Sequence, residues 1–198
     1  MKYFVLILTA FLISLNISNA QTTKARFGIL LKNGDEHTRI KSNDRAKVSD
    51  KFKIVIQALN DSYNYVLYSD GSETTLLNSK KQLKLKNNDR LVLPGKNDYY
   101  EFDEQNSKAF LYVINSKTAV KDIENLFASG NTVSCAKWKS IEDKIVKQIK
   151  SDLNDNSDQP ISIAGNVRSL EEDKMDRLLQ TFSDKKMIFK KYQIEIKK

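Results

Sequence analysis

The run KFKIVIQA at residues 51–58, followed by YNYVLYSDG at 63–71 and TTLL at 74–77, decides the fold class. In the first, Phe52, Ile54, Ile56 and Ala58 recur at every second position, the period of a strand with one face buried. In the second, Tyr65 to Tyr68 leads into Asp70-Gly71, a favoured two-residue hairpin turn, and Thr74 to Leu77 supplies the returning arm. Working outward, Phe27, Ile29 and Leu31 alternate before the turn signal Asn33-Gly34-Asp35. Leu83 with Leu85, Leu91 with Leu93, Tyr100 with Phe102, and Ala109 to Ile114 repeat the theme at about ten-residue spacing. Short, regularly punctuated strands predict an antiparallel β-sandwich or open barrel over residues 25–115.

The period changes after Lys117. Ala119, Val120, Ile123, Leu126 and Phe127 sit at helical spacing, with Thr118 suited to the N-cap and Gly130 to the left-handed position past the end. A stronger amphipathic stripe runs through Trp138, Ile141, Ile145, Ile149 and Leu153. After an exposed loop at 154–160, Ile161 to Ala164 reads as a short strand. Ser169 and Glu172 form the capping box of a third helix carrying Met175, Leu178, Leu179 and Phe182. The chain closes as a strand over 186–197, with a bulge expected at Lys190-Lys191. The expectation is an α+β fold: a sheet-rich part at 25–115, a helical part at 118–183 with about three helices packed on the sheet, and a closing C-terminal strand.

Residues 1–20 read as a secretory signal peptide. Lys2 is a positive n-region, Tyr3 to Leu15 an apolar h-region, and Ser18-Asn19-Ala20 a cleavage site before Gln21. The apolar run is shorter than the roughly 20 residues a spanning helix needs, so no transmembrane segment is expected after cleavage. That leaves 178 of 198 residues (198 minus 20) as one exported domain, periplasmic or secreted. The single cysteine, Cys135, leaves no intrachain disulfide, so packing must hold the fold. Without Lys2 the 33 basic residues become 32 against 25 acidic, a net +7. These charges are mixed along the chain, which suits a solvated surface and weak attraction to an anionic polysaccharide; nucleic acid is not expected, for want of a basic helix.

Catalytic patterns are sparse. The sole histidine, His37, lies just beyond a turn, and a hydrolase using it, alone or with Cys135, has no local signature. No phosphate-cradling glycine loop or zinc-protease motif is present. Asp70 with Glu73, and Glu101 with Asp103 and Glu104, are carboxylates close only in sequence. The segment from Asp152 to Asp158 spaces oxygen ligands as calcium loops do, but Ser157 replaces the turn glycine and Ile163 the bidentate glutamate. No catalytic residue, metal site or cofactor is therefore expected. Tyr63, Tyr65, Tyr68, Tyr99 and Tyr100 bracket the hairpins, and tyrosines there combine large contact area with a polar tip, as a binding surface requires.

With the strands in hand, the stretch from Lys47 to Ile56, then Asn64 to Gly71 with Thr74 to Leu77, resembles the bacterial family called domain of unknown function 4384. Leu91 to Pro94, Tyr100 to Asp103, Ala109 to Ile114 and Ala119 to Phe127 are similar to its later strands and short helix, so the resemblance covers residues 47–128. This chain departs from the pattern in lacking a glycine before Tyr65, a proline after Leu77 and a glycine near Asn106. The resemblance implies an exported accessory module, of the kind sometimes attached to caspase-like peptidase or protein-kinase domains, and transfers no catalytic residues. The expected function is a non-catalytic binding or interaction module of a Gram-negative-type envelope. Its partner would be an envelope protein or an anionic polysaccharide; a structural subunit of a secretion or surface assembly, and a hydrolase using His37, are the alternatives.

Overall fold

Phe27, Ile29 and Leu31 share a face in space as they share a parity in sequence, and the same holds for each long strand. The computed structural model describes residues 22–103, 107–154 and 174–197. Its strands are β1 (Thr23–Asn33), β2 (Glu36–Ile40), β3 (Arg45–Lys47), β4 (Lys51–Ala58), β5 (Ser62–Ser69), β6 (Glu73–Leu76) and β7 (Lys84–Leu85). They continue with β8 (Arg90–Leu93), β9 (Tyr100–Glu101), β10 (Lys108–Ser116), β11 (Thr132–Ser134), β12 (Gln180–Asp184) and β13 (Met187–Lys197). Two α-helices, α1 (Lys121–Leu126) and α2 (Cys135–Asn154), are described, with 3-10 turns at Lys80–Gln82 and Asp176–Leu178.

The strands form two sheets and not a closed barrel. One runs β12-β1-β4-β8, with β2 also on β1 and β9 also on β4; the other runs β11-β6-β5-β10-β13-β3, with β7 on β5. Every ladder is antiparallel except that of β3 with β13. One apolar cluster is built from both sheets: Phe27, Ile29, Phe52, Ile54 and Leu93 from the first meet Val66, Leu111, Val113 and Ile194 from the second. The opposite face of the second sheet carries Tyr65, Leu67, Tyr112 and Ile114, covered by Ile123, Phe127, Trp138 and Ile145 of the helical segments. Leu30 and Val55 on the outer face of the first sheet are capped by Leu179. Each strand of β5, β10 and β13 is thus apolar on both faces, because each lies between two layers.

That double burial corrects the expected bulge. The β10–β13 register is unbroken from Lys108 opposite Glu195 to Ser116 opposite Met187. Met187 and Phe189 face the helices while Ile188, Tyr192 and Ile194 face the other sheet, so the change of parity reflects two buried faces and no inserted residue. The expected third helix is also corrected over its described part. Met175 to Leu178 make a turn, and Phe182 lies on β12, where it stacks on Phe27 with ring centroids 4.3 Å apart. The capping box at Ser169, the strand at 161–164 and the loop at 154–160 lie outside the described residues, as does the signal segment. At α1 the N-cap is Val120 and not Thr118. Gly130 does not adopt the left-handed conformation, which among the described glycines is taken by Gly34 and Gly71, each in a hairpin turn.

Three turns share one construction that the sequence reading passed over: Lys41 to Asp44, Lys47 to Asp50 and Lys86 to Asp89. In each, the aspartate carboxylate accepts the lysine N–H at 2.7, 2.7 and 2.8 Å. The third residue has positive φ: 69° at Asn43, 66° at Ser49 and 69° at Asn88. Asparagine tolerates that region better than serine, because its amide bonds locally to the backbone. Ser49→Asn should therefore raise stability by about 0.5 kcal/mol. An unchanged or lower urea midpoint would contradict this.

Candidate functional site

α1 has only six residues, so it covers part of the second sheet and leaves an opening beside β5 and β6. The opening is a cleft of about 350 Å³ between the end of α1 and the Lys80–Gln82 turn. Leu76, Leu83 and Phe127 give it apolar walls, Tyr63 and Tyr65 project from β5, and Lys80, Lys84 and Glu124 supply charge. The Tyr65 hydroxyl donates to Glu124 Oε1 at 2.9 Å and accepts the N–H of Val120 at 2.9 Å, which fixes the start of α1 over the sheet. Burial, with the neighbouring Glu124 charge, holds the Tyr65 phenol well above its ordinary range, so it stays a neutral donor. Lys80 Nζ donates to the carbonyl of Ala128 at 3.3 Å, and Lys84 Nζ lies 6.0 Å from the centre of the Tyr63 ring.

The five tyrosines expected to form a surface are divided among three places. Tyr63 and Tyr65 share the cleft. Tyr68 and Tyr100 pack against the cluster between the sheets. Burial pushes the Tyr68 phenol up to about 12, helped by Asp103 and Asp70, and raises that of Tyr100. Tyr99 sits at the other sheet. His37 Nε2 is 3.0 Å from its hydroxyl, with the two rings nearly parallel. Lys53 Nζ lies 4.1 Å over its centre, and Lys32 Nζ 5.1 Å. Lys53 is only 2% exposed, and its ammonium donates to the carbonyl of Lys96 at 2.9 Å. Aromatic face and carbonyl together replace the water this lysine gives up, and they anchor the 94–99 loop over the first sheet.

His37 and Cys135 are not brought together. His37 is on β2 opposite Lys32, on the outer face of the first sheet, whereas Cys135 opens α2 beside β6 of the second. The Cys135 sulfur lies 3.9 Å from Ser69 Oγ. Of the carboxylates weighed for acid–base chemistry, Asp70 and Glu101 are engaged in the fold. Asp70 Oδ1 accepts Ser72 N–H, Ser72 O–H and Glu73 N–H, each at 2.8 Å, and Glu101 pairs with Lys51 at 3.0 Å. Burial opposes the Asp70 charge, but those hydrogen bonds outweigh it and lower its pKa. Glu104 and most of the calcium-like segment lie outside the described residues. Among the described residues no group of three or more His, Cys, Asp and Glu is placed to hold a metal ion, and no described helix is long and apolar enough to cross a membrane.

No family model, curated protein or solved structure matches this chain.

Sequence reasoning found Tyr63 and Tyr65 and missed their partners. Lys80 and Lys84 counted only among the charges of a solvated surface, but Lys80 belongs to a turn that walls the cleft. Glu124 was not among the residues singled out on the short helix. The signal for it was spacing from Val120, whose N–H meets the same tyrosine hydroxyl.

Proposed function

We propose that the chain is a non-catalytic binding module of a bacterial envelope, exported by its N-terminal segment and recognising its ligand through the Tyr63–Tyr65 cleft. The observation that carries this reading is the cleft itself: apolar walls, two tyrosines, and a few convergent charged groups on a rigid sheet. Tyr63 offers a ring face, Lys84 a cation beside it, and the Tyr65–Glu124 pair a fixed polar end. That combination suits a ligand with an apolar or ring-bearing body and an acidic end, such as a component of an envelope glycan or glycolipid.

Two further observations support it. Residues 1–20 have the pattern of a cleavable export signal, and the first described strand opens shortly after them, at Thr23. The strand pattern that resembles the domain of unknown function 4384 family points to an accessory module in the same compartment.

The test is retention of the purified chain on isolated envelope fractions, comparing wild type with a Tyr63→Ala/Lys84→Ala variant that keeps its circular dichroism spectrum. Loss of most retention, by about tenfold or more, is expected for two contacts of this kind. Equal retention would remove the cleft from the account, and a periplasmic form beginning at Met1 would remove the cleavage.

A further inference from the structure

β1 carries two strands end to end along one edge, β12 beside Thr23 to Phe27 and β2 beside Ile29 to Asn33, so Gly28 is unpaired on that side. Facing this break, β13 pairs with β10 on one side, and β3 joins its other side only from Glu195 onward. Gln193 directs its N–H to Ser42 Oγ and its C=O to the N–H of Asn43, away from β10. By the alternation of an antiparallel ladder, Lys191 turns its own N–H and C=O the same way, toward the break.

The break is a groove of about 260 Å³. Arg39 comes to it from β2, Lys41 from the turn that follows, and Lys190 from β13, with Ser42, Gln180 and Tyr192 between them. No carboxylate is among its described lining residues, and none of Arg39, Lys41 and Lys190 forms an ion pair among the described residues. The acids nearest its lining along the chain, Asp44 and Asp184, accept backbone N–H groups, that of Lys41 at 2.7 Å and that of Lys186 at 3.1 Å. Lys190 Nζ rests 4.9 Å over the Phe182 ring, which sets its position without neutralising it. Three cations from three elements converging without a counter-charge repel one another, and a bound anion relieves that repulsion.

The geometry points to an oxyanion site in this groove, taking the carboxylate or phosphate of an acidic sugar. Arg39 offers a planar fork for the two oxygens, and Lys41 and Lys190 add point charges. Ser42, Gln180 and the backbone of Lys191 are placed for sugar hydroxyls. Tyr192 joins them as a donor, because burial raises its phenol to about 12 even against the opposing effect of Arg39. The volume lies just below the roughly 300 Å³ at which small-molecule pockets begin, which suits one charged sugar residue or terminus. The site is separate from the Tyr63–Tyr65 cleft and does not depend on it.

Calorimetric titration of the purified chain with glucuronate, glucose 6-phosphate, glucose and inorganic phosphate tests this. One acidic sugar should bind at least about tenfold more tightly than glucose, more weakly as salt is added, and its acid identifies the source as carboxylate or phosphate. Arg39→Gln and Lys190→Gln should each weaken that binding by about fivefold or more, while Tyr63→Ala leaves it unchanged. Equal binding of glucose, or glutamine variants that fold and bind as wild type does, overturns the site. Inorganic phosphate binding as tightly as either acidic sugar overturns the assignment to a sugar.

Discussion

Trp138→Ala should cost the fold about 3–5 kcal/mol, the range for emptying a large aromatic site in a packed core. Trp138 heads the largest fully buried side chains and has no exposed surface. It meets Tyr112 edge to face with ring centroids 5.2 Å apart, in the cluster that joins α2 to the second sheet. α2 is strongly polar on its other face, so without this anchor it has little reason to stay docked. Circular dichroism through a urea titration measures the loss, since the variant lacks the only tryptophan in the chain. A cost under about 1 kcal/mol would mean that Ile141 and Ile145 hold the helix without it.

Lys191→Met should cost about 2–3 kcal/mol, and Glu142→Gln clearly less, although both break the same ion pair. Lys191 Nζ donates to Glu142 Oε1 at 2.8 Å; the glutamate side chain is 5% exposed and that of the lysine 35%. Burial works against the lysine charge, but Glu142 and Tyr112 outweigh it and hold the ammonium above the usual lysine range. Removing the lysine leaves a carboxylate that cannot reach water, with only the longer contacts to Lys139 and Tyr112, both at 3.4 Å. Removing the glutamate charge leaves an ammonium free to turn outward. The order of the two urea midpoints is the readout, and a double variant, Lys191→Met/Glu142→Leu, should recover much of the loss. Equal costs, or the reverse order, would show that the carboxylate is better hydrated than its surroundings imply.

What could be read from the residues follows from how far apart the interacting residues lie. Phe52, Ile54 and Ile56 announce a strand through local parity, and Asp70-Gly71 announces its hairpin, because both signals are complete within a few residues. β12 carries no such signal. Leu178, Leu179 and Phe182 have helical spacing, and only pairing with β1, distant in the chain, makes Gln180 to Asp184 extended. The same distance hid the division of the tyrosines. Tyr63 and Tyr65 share a parity, but nothing local says that the face they share is met by Glu124, or that Tyr99 lies against Lys53 in the other sheet.

The pairing of β1 with β12 and of β3 with β13 ties early residues to late ones in both sheets, and the Thr23 hydroxyl reaches the carbonyl of Lys186 at 3.0 Å. A chain emerging from its N-terminus therefore cannot complete either layer until Gln180 to Lys197 are released. Such long-range closure places folding among the slow β topologies, in milliseconds to seconds rather than microseconds. Until then the edges of β1 and β3 that β12 and β13 cover stay unpaired.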